Sequence, residues 1–353
     1  MNKPTDPKQR YTQFFVVIIL CSTMLITFQC LSGGFTDLST SLPGRAPLIT
    51  LFTRIRIKLG DRVINGGVIG KDGWMEYADL DDYQNSLNQP EDNAKKIQEK
   101  LKTLYNALQA QNIMLVLVVA PNKATIYPDK LPDELHKIEA KSQLDLIIET
   151  LQQQGPQVLI DLRPALDKAR QRNIIYYKTD THWNSYGAYA AYAEIMKKIS
   201  QTYPALAPKK MNQFQINITG TNVLDIARVI SATYIKEPSL TIRPIKNNLR
   251  WVIYNTSDPS PISISYSTSD NSNMPRLLMY VDSFGVRLKP LISPHFSQAT
   301  FNNTQTLSPD ALSFKQIEVT KPDIVIIEIV ERNLNQLAGL LTKLEIDSTL
   351  PNQ

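Results

Sequence analysis

The chain offers three imidazoles, His136, His182 and His295, and two thiols, Cys21 and Cys30, both near the N-terminus. His182 has the most informative neighbours, Lys178-Thr-Asp-Thr-His-Trp-Asn-Ser-Tyr-Gly187. Asp180 stands two residues before it. A carboxylate on one ring nitrogen leaves the other free as a base and stabilises the imidazolium that forms. A lone D-x-H pair recurs by chance, and its plain alternative is a surface pair capping the following helix. Trp183, one of only three tryptophans, adds weight, as do the Asn184 amide and Gly187 ahead of an Ala-rich helix.

The second candidate is Ser283, in Leu277-Leu-Met-Tyr-Val-Asp-Ser-Phe-Gly285. An apolar strand ends at Asp282 and leaves Ser283 in the turn beyond it. A serine there is exposed at the carboxyl edge of a sheet. Its own N–H lies near a helix N-terminus, which suits a nucleophile and an oxyanion. A helix cap is the alternative reading of the isolated tetrapeptide. Together with the Asp180–His182 loop, the serine completes a set for acyl transfer. A body without cysteine excludes a thiol enzyme, a zinc ribbon and a disulfide scaffold.

These residues must be positioned by a sheet. Met114 to Val119 is a continuous apolar run, as in a strand buried on both faces. Val158–Asp161, Leu277–Val281 and Ile324–Val330 are further strands. Helices are expected at Pro90–Gln111, over Leu144–Leu151, at Pro164–Arg172, at Tyr186–Ser200 and from Phe284. Asn65–Tyr77 reads as a small hairpin. Strands alternating with helices indicate an α/β domain with a mainly parallel sheet. Residues 236–275 break the rhythm and read as a β insertion, with a mobile stretch at 256–273. Ligands of such sheets bind outside the carboxyl ends of the strands. That puts Asn122, Lys123, Arg163, Glu331 and Arg332 near the same crevice, with Asn122 and Arg332 favoured as site residues.

The 353 residues carry 38 Lys+Arg against 33 Asp+Glu, with 42% hydrophobic and 20% charged residues, an ordinary globular balance. Residues Phe14 to Leu31 are uncharged. As a helix rising about 1.5 Å per residue they cover about 27 Å, close to a bilayer core of about 30 Å. Lys3, Lys8 and Arg10 precede them, which favours a cytoplasmic N-terminus and export of the C-terminal body. This predicts a single N-terminal transmembrane helix, with a cleaved signal peptide as the alternative. The expected organisation is a basic cytoplasmic tail (1–13), an anchor (14–31), a stalk (32–60) and one domain (61–345). The site would then lie in the periplasm or outside the cell. Beyond the head, 35 cations face 32 anions, and no basic cluster interleaved with aromatics appears. Nucleic acid is therefore not an expected partner.

Taken together, the motifs resemble a known family. Val281-Asp-Ser-Phe284 resembles the serine block of SGNH hydrolases, and Thr179-Asp-Thr-His-Trp-Asn184 resembles the D-x-H-W block of their AlgJ/AlgX-type acetyltransferase branch. Gly70-Lys-Asp-Gly-Trp-Met-Glu-Tyr77, Pro121-Asn-Lys-Ala-Thr-Ile-Tyr-Pro128 and Leu224-Asp-Ile-Ala-Arg228 are similar to further segments of that branch, in its order. Val281 departs from the usual glycine. The resemblance implies an SGNH hydrolase-like, flavodoxin-like sheet sandwiched by helices. It implies Ser283 as nucleophile, His182 as general base and acid, and Asp180 as its orienting partner. Asn184 and Trp183 become candidates for oxyanion or substrate binding beside Asn122 and Arg332. No cofactor or metal is implied. The expected chemistry is acetyl transfer through a serine ester to hydroxyls of an exported polysaccharide, with a membrane-bound O-acyltransferase as donor. A carbohydrate acetylesterase and a non-catalytic glycan-binding assembly protein are the competing readings.

Overall fold

The structure is a computed structural model that describes residues 44–84, 89–245, 250–255, 263–268, 272–303 and 314–348. The chain divides into a unit ending at Phe52 and a unit from Thr53 to Gln353, which holds the sheet and the site.

The first described helix, α1, is Arg45–Lys58. A three-stranded antiparallel sheet follows, made of β1 (Val63–Ile64), β2 (Gly67–Ile69) and β3 (Met75–Tyr77). Then come α2 (Pro90–Gln109), β4 (Met114–Ala120), α3 (Gln143–Gln154), β5 (Leu159–Asp161), α4 (Arg163–Arg170) and α5 (Ser185–Ile199). Next are β6 (Phe214–Asn222), α6 (Asp225–Val229), β7 (Glu237–Pro244), β8 (Arg250–Asn255), β9 (Ser263–Thr268) and β10 (Arg276–Val281). The chain continues through β11 (Gln298–Asn303), α7 (Phe314–Thr320), β12 (Ile324–Val330) and α8 (Leu334–Ser348).

The main sheet has seven strands in the order β5-β4-β12-β10-β11-β9-β8. The pairs from β5 to β11 are parallel, and β9 and β8 add an antiparallel edge. The alternation of β4 explains the layering. Val116 and Val118 face one core, with Leu166 of α4 and Tyr192 and Ile195 of α5. Leu115 and Leu117 face the other, with Ile97 and Leu101 of α2, Ile147 of α3 and Leu337 of α8. Both faces are covered, as a parallel sheet requires. The register pairs Val330 with Ala120 and Tyr280 with Ile327, so β4, β12 and β10 end along one edge.

Several expectations are corrected. The predicted single N-terminal transmembrane helix is not upheld, because no helix among the described residues is long and apolar enough to cross a membrane. The described N-terminal helix, α1, has 14 residues and carries Arg45, Arg54, Arg56 and Lys58. Residues 14–31, on which the expectation rested, lie outside the described residues. The helix expected from Phe284 is only a 3₁₀ turn at Gly285–Arg287 and one helical turn at Lys289–Ile292, each with a buried inner side. The β insertion is not one body: β7 forms a two-stranded ribbon with β6, whereas β8 and β9 extend the main sheet. Of the stretch expected to be mobile, 256–262 and 269–271 lie outside the described residues.

Candidate active site

The Asp180–His182 loop is closed at its base. Tyr176 bridges Trp183, Asn184 N–H donates to Ile175 O at 2.9 Å, and Tyr177 N–H donates to His182 O at 3.2 Å. Gly187 permits this closure, since a Cβ there would come within 2.8 Å of Trp183 Cβ and closer still to the Ile175 carbonyl. The ribbon strand β7 supplies Glu237. Its carboxylate accepts from the N–H groups of Lys178 and Thr179, each at 3.0 Å, and from the Thr179 hydroxyl at 2.9 Å.

Lys123 locks the loop from beneath. It is 2% exposed, and its ammonium donates to the carbonyls of Met75, Tyr177 (3.3 Å), Lys178 (3.2 Å) and Asp180 (2.7 Å). One cation thus ties the small sheet to the loop. Burial lowers its pKa, and the surrounding carboxylates Glu76, Asp225 and Asp180 oppose that shift.

Inside the loop, His182 Nδ1 lies 2.6 Å from Asp180 Oδ1, which also accepts from the His182 backbone N–H at 2.9 Å. Burial acts against the ionised form of Asp180. The hydrogen bond and charge of His182, together with two backbone donors, outweigh burial and hold its pKa below the ordinary carboxylate value. Asp225, at the start of α6, lies 3.6 Å from the same ring nitrogen. Its Oδ1 accepts from Thr181 N–H at 2.9 Å and Ile226 N–H at 2.6 Å. Burial and the charge of Asp180 raise the Asp225 pKa. The other ring nitrogen, His182 Nε2, is buried and has no hydrogen-bond partner among the described residues. Orphaned buried polar atoms are rare in folded proteins and concentrate where chemistry is done.

Ser283 sits half-buried in the turn at the end of β10. The His182 ring packs against Phe284, the next residue, with centroids 4.8 Å apart. Asp180 and His182 are therefore brought together, and Ser283 directly precedes the Phe284 ring on which the imidazole packs. A hydrogen bond between Ser283 and Nε2 is not formed. Trp183 is fully buried. Its indole N–H donates to Phe284 O at 3.1 Å and its ring meets Phe284 edge-on at 5.1 Å, so it braces the serine turn and offers no surface to a ligand. Asn184 caps α5. Its Oδ1 accepts from Tyr186 and Gly187 N–H groups, and its Nδ2 donates to Ile174 O at 2.7 Å. The amide oxygen is used twice at the start of α5, and Nδ2 spends one of its two N–H donors on the Ile174 carbonyl.

Arg332 stands at the end of β12. Its guanidinium lies over Phe284 at 5.5 Å and over Tyr77 at 5.9 Å, with Nη1 3.3 Å from Thr181 Oγ1 and 3.4 Å from Asn122 Oδ1. Asn122 is anchored by its N–H to Glu331 Oε2 at 2.9 Å. These two expected residues join the site. Arg163 does not: it forks onto Asp161 and also bonds Asp145 at 2.7 Å. Sequence reasoning misses Tyr77 and Asp225 as site groups, although both lie in segments that carry a recognisable motif. Burial and Asp225 push the Tyr77 phenol above its usual range. Asp180, His182 and Asp225 present ligand atoms within 4.8 Å of one another, a spacing that a metal ion could use.

Comparison with known proteins bears on the fold and the family. Residues 68–241 match the family model described as "SGNH hydrolase-like domain, acetyltransferase AlgX". A probable alginate O-acetylase AlgJ of Pseudomonas syringae pv. tomato is 30% identical over 183 residues, 49% of this chain and 45% of that protein. The match thus spans under half the length of this curated relative. Among solved structures, a DHHW family protein from Eubacterium siraeum superposes with a TM-score of 0.62 at 17% identity, covering 80% of this chain and 96% of that one. The O-acetyltransferase domain of Pseudomonas putida AlgJ superposes with a TM-score of 0.54 at 17% identity, covering 78% and 99%. These two likenesses show the fold. Residues 68–241 thus carry a domain of the AlgJ/AlgX type, which is SGNH hydrolase-like.

Proposed function

We propose that the protein is an O-acetyltransferase that moves an acetyl group through a Ser283 ester onto hydroxyls of a polysaccharide. The observation that carries this reading is the 2.6 Å contact between Asp180 and His182 Nδ1, with Nε2 left unpartnered beside the Ser283–Phe284 turn. The name of the AlgJ relative supports a polysaccharide acceptor. In the first half-reaction Ser283 Oγ attacks the donor's acetyl carbonyl and His182 Nε2 takes the hydroxyl proton. Collapse expels the leaving group, which carries that proton away. In the second half, a sugar hydroxyl gives its proton to Nε2 and attacks the serine ester. Ser283 leaves as the alkoxide and recovers the proton from the imidazolium. Asp180 keeps the ring oriented and balances its charge. Arg332, whose guanidinium lies over the Phe284 ring, is the cation assigned to the developing oxyanion. A membrane-bound O-acyltransferase would act as donor, and the work would be done outside the cytoplasm, where exported glycan is available.

The test supplies the purified protein with a chromogenic acetyl ester and a panel of oligosaccharides. Acetyl should appear on sugar, and Ser283→Ala should reduce turnover by several orders of magnitude. Acetyl passing only to water across the panel would make the protein an esterase. Unchanged turnover in Ser283→Ala would sink the serine mechanism altogether.

A further inference from the structure

β12 reads Ile-Val-Ile-Ile-Glu-Ile-Val, and its one acid, Glu328, is 1% exposed in the middle of the main sheet. Glu328 Oε2 accepts from Asp282 N–H at 3.0 Å, and Oε1 has no hydrogen-bond partner among the described residues. Asp282 in turn holds the same turn from its side chain, accepting from Phe284 N–H at 2.8 Å and from Val330 N–H at 2.7 Å. Gly285 lies directly over the acid: a Cβ there would come within 2.5 Å of Glu328 Oε2 and 2.6 Å of Val281 Cβ. The two residues flanking Ser283 on its N-terminal and C-terminal sides, Asp282 and Phe284, are thus both fixed by carboxyl groups, and Glu328 lies under the whole turn.

We propose that Glu328 is a positioning residue for Ser283, holding the Asp282–Gly285 turn from beneath so that the serine meets His182. This rests on the acyl-transfer reading above. The geometry also sets the protonation state that the role requires. The charged group facing Glu328 is Asp282, of the same sign, while β4 opposes it with Val118 and the turn offers backbone N–H groups. An ionised carboxylate that faces a second carboxyl group, with no hydrogen bond to Oε1 among the described residues, is costly to bury, so the neutral acid is favoured. Burial first, and Asp282 second, raise the Glu328 pKa well above the ordinary value. The neutral acid holds the turn. Its ionisation would set two carboxylates against each other beneath the serine.

Glu328→Gln keeps the acceptor and the neutral state, and Glu328→Leu keeps the volume and removes the acceptor. Acetylation of Ser283 by a small acetyl ester is followed by rapid mixing, with the site confirmed by peptide mass. Glu328→Gln should stay within about threefold of the parent at pH 7. It should also lack the fall in rate that the parent shows on the alkaline side. Glu328→Leu, if it folds with the parent's melting behaviour, should lose on the order of 10²-fold in acylation, the scale of a misplaced reacting group. If Glu328→Leu does not fold, the Glu328→Gln pH profile decides. Parent and Glu328→Gln profiles that coincide through the alkaline range overturn the proposal. So does a folded Glu328→Leu that acylates at the parent's rate. A parent that never acetylates Ser283 defeats the acyl-transfer reading and this proposal together. Normal parent acylation with indifferent Glu328 variants defeats the positioning role alone.

Discussion

Asp225 Oδ2 lies 3.6 Å from His182 Nδ1, the ring nitrogen that Asp180 already holds at 2.6 Å. The imidazole is therefore served by two carboxyls of unequal acidity. Hydrogen bonds and the charge of His182 keep Asp180 the stronger acid, whereas burial and Asp180 itself make Asp225 the weaker.

That inequality predicts unequal mutants. Asp180→Asn removes the carboxylate charge that fixes the Nδ1–H tautomer and balances the imidazolium, and should lower the acylation rate by on the order of 10³-fold, short of a full triad loss because Asp225 remains nearby. Asp225→Asn keeps one oxygen for the Thr181 and Ile226 amides and should cost only about tenfold. The double variant should exceed the product of the two single losses if Asp225 substitutes for Asp180. Single-turnover kinetics on the four proteins gives the answer, and strict multiplicativity would show that Asp225 does not act as a reserve.

Lys123 yields a second prediction. Its ammonium is the shared donor to four carbonyls from the small sheet and the catalytic loop. Lys123→Met fills the volume and leaves those carbonyls without that donor. Loss of one partner from a buried charged cluster costs about 3–5 kcal/mol. Urea unfolding should register a loss of this size, and acylation should fall in the fraction that remains folded. A variant as stable as the parent would mean that the carbonyls find other donors.

Asn184 separates a cap from a catalyst. Both ends of its amide are used to start α5 and to close the loop. Asn184→Ala should cost about 1 kcal/mol of stability, near 2 at most, and Asn184→Asp should recover much of it. A large fall in acylation at unchanged stability would instead restore Asn184 to the oxyanion role that its place beside His182 suggests.

The parts of the site that are legible in the sequence are those in which chemistry and local pattern coincide. Asp180, His182 and Ser283 occur in short blocks at a loop and a strand end, and apolar runs such as Met114–Val119 and Ile324–Val330 mark central strands. Asp225 is harder to see because it meets Asp180 from 45 positions further along the chain. Glu328 is hidden by its neighbours: an acid inside an apolar run reads as a flaw until the Asp282 amide, 46 residues away, is brought to it. β11 escapes notice because Gln298–Asn303 lacks an apolar run, although pairing with β10 along its whole length makes it a strand. Asn184 reads two ways because an amide beside a histidine and an amide at a helix start have the same sequence, and the structure shows the helix-start contacts.

His295 gives a prediction in pH. Its ring is 3% exposed, and Nε2 lies 2.7 Å from the Tyr192 hydroxyl, which in turn accepts from Lys209 N–H. Burial, aided by the positive charge of Lys209, lowers the pKa of His295 to about 4. In the unfolded chain an imidazole titrates near about 6.5. The folded state therefore keeps His295 neutral over a range where the unfolded state takes up a proton. Its contribution is full above about pH 6.5 and is lost as the pH falls toward about 4. At about 1.4 kcal/mol per pKa unit, the whole effect is about 3 kcal/mol. His295→Gln preserves a polar partner for Tyr192 and cannot titrate. Carboxylates also change protonation in this range, so the informative quantity is the difference between the two proteins. Urea midpoints measured from pH 7.5 to pH 4 should fall more steeply for the parent than for His295→Gln, with the gap opening below about pH 6.5. Parallel curves would mean that the folded protein accepts a proton at His295 as readily as the unfolded chain does.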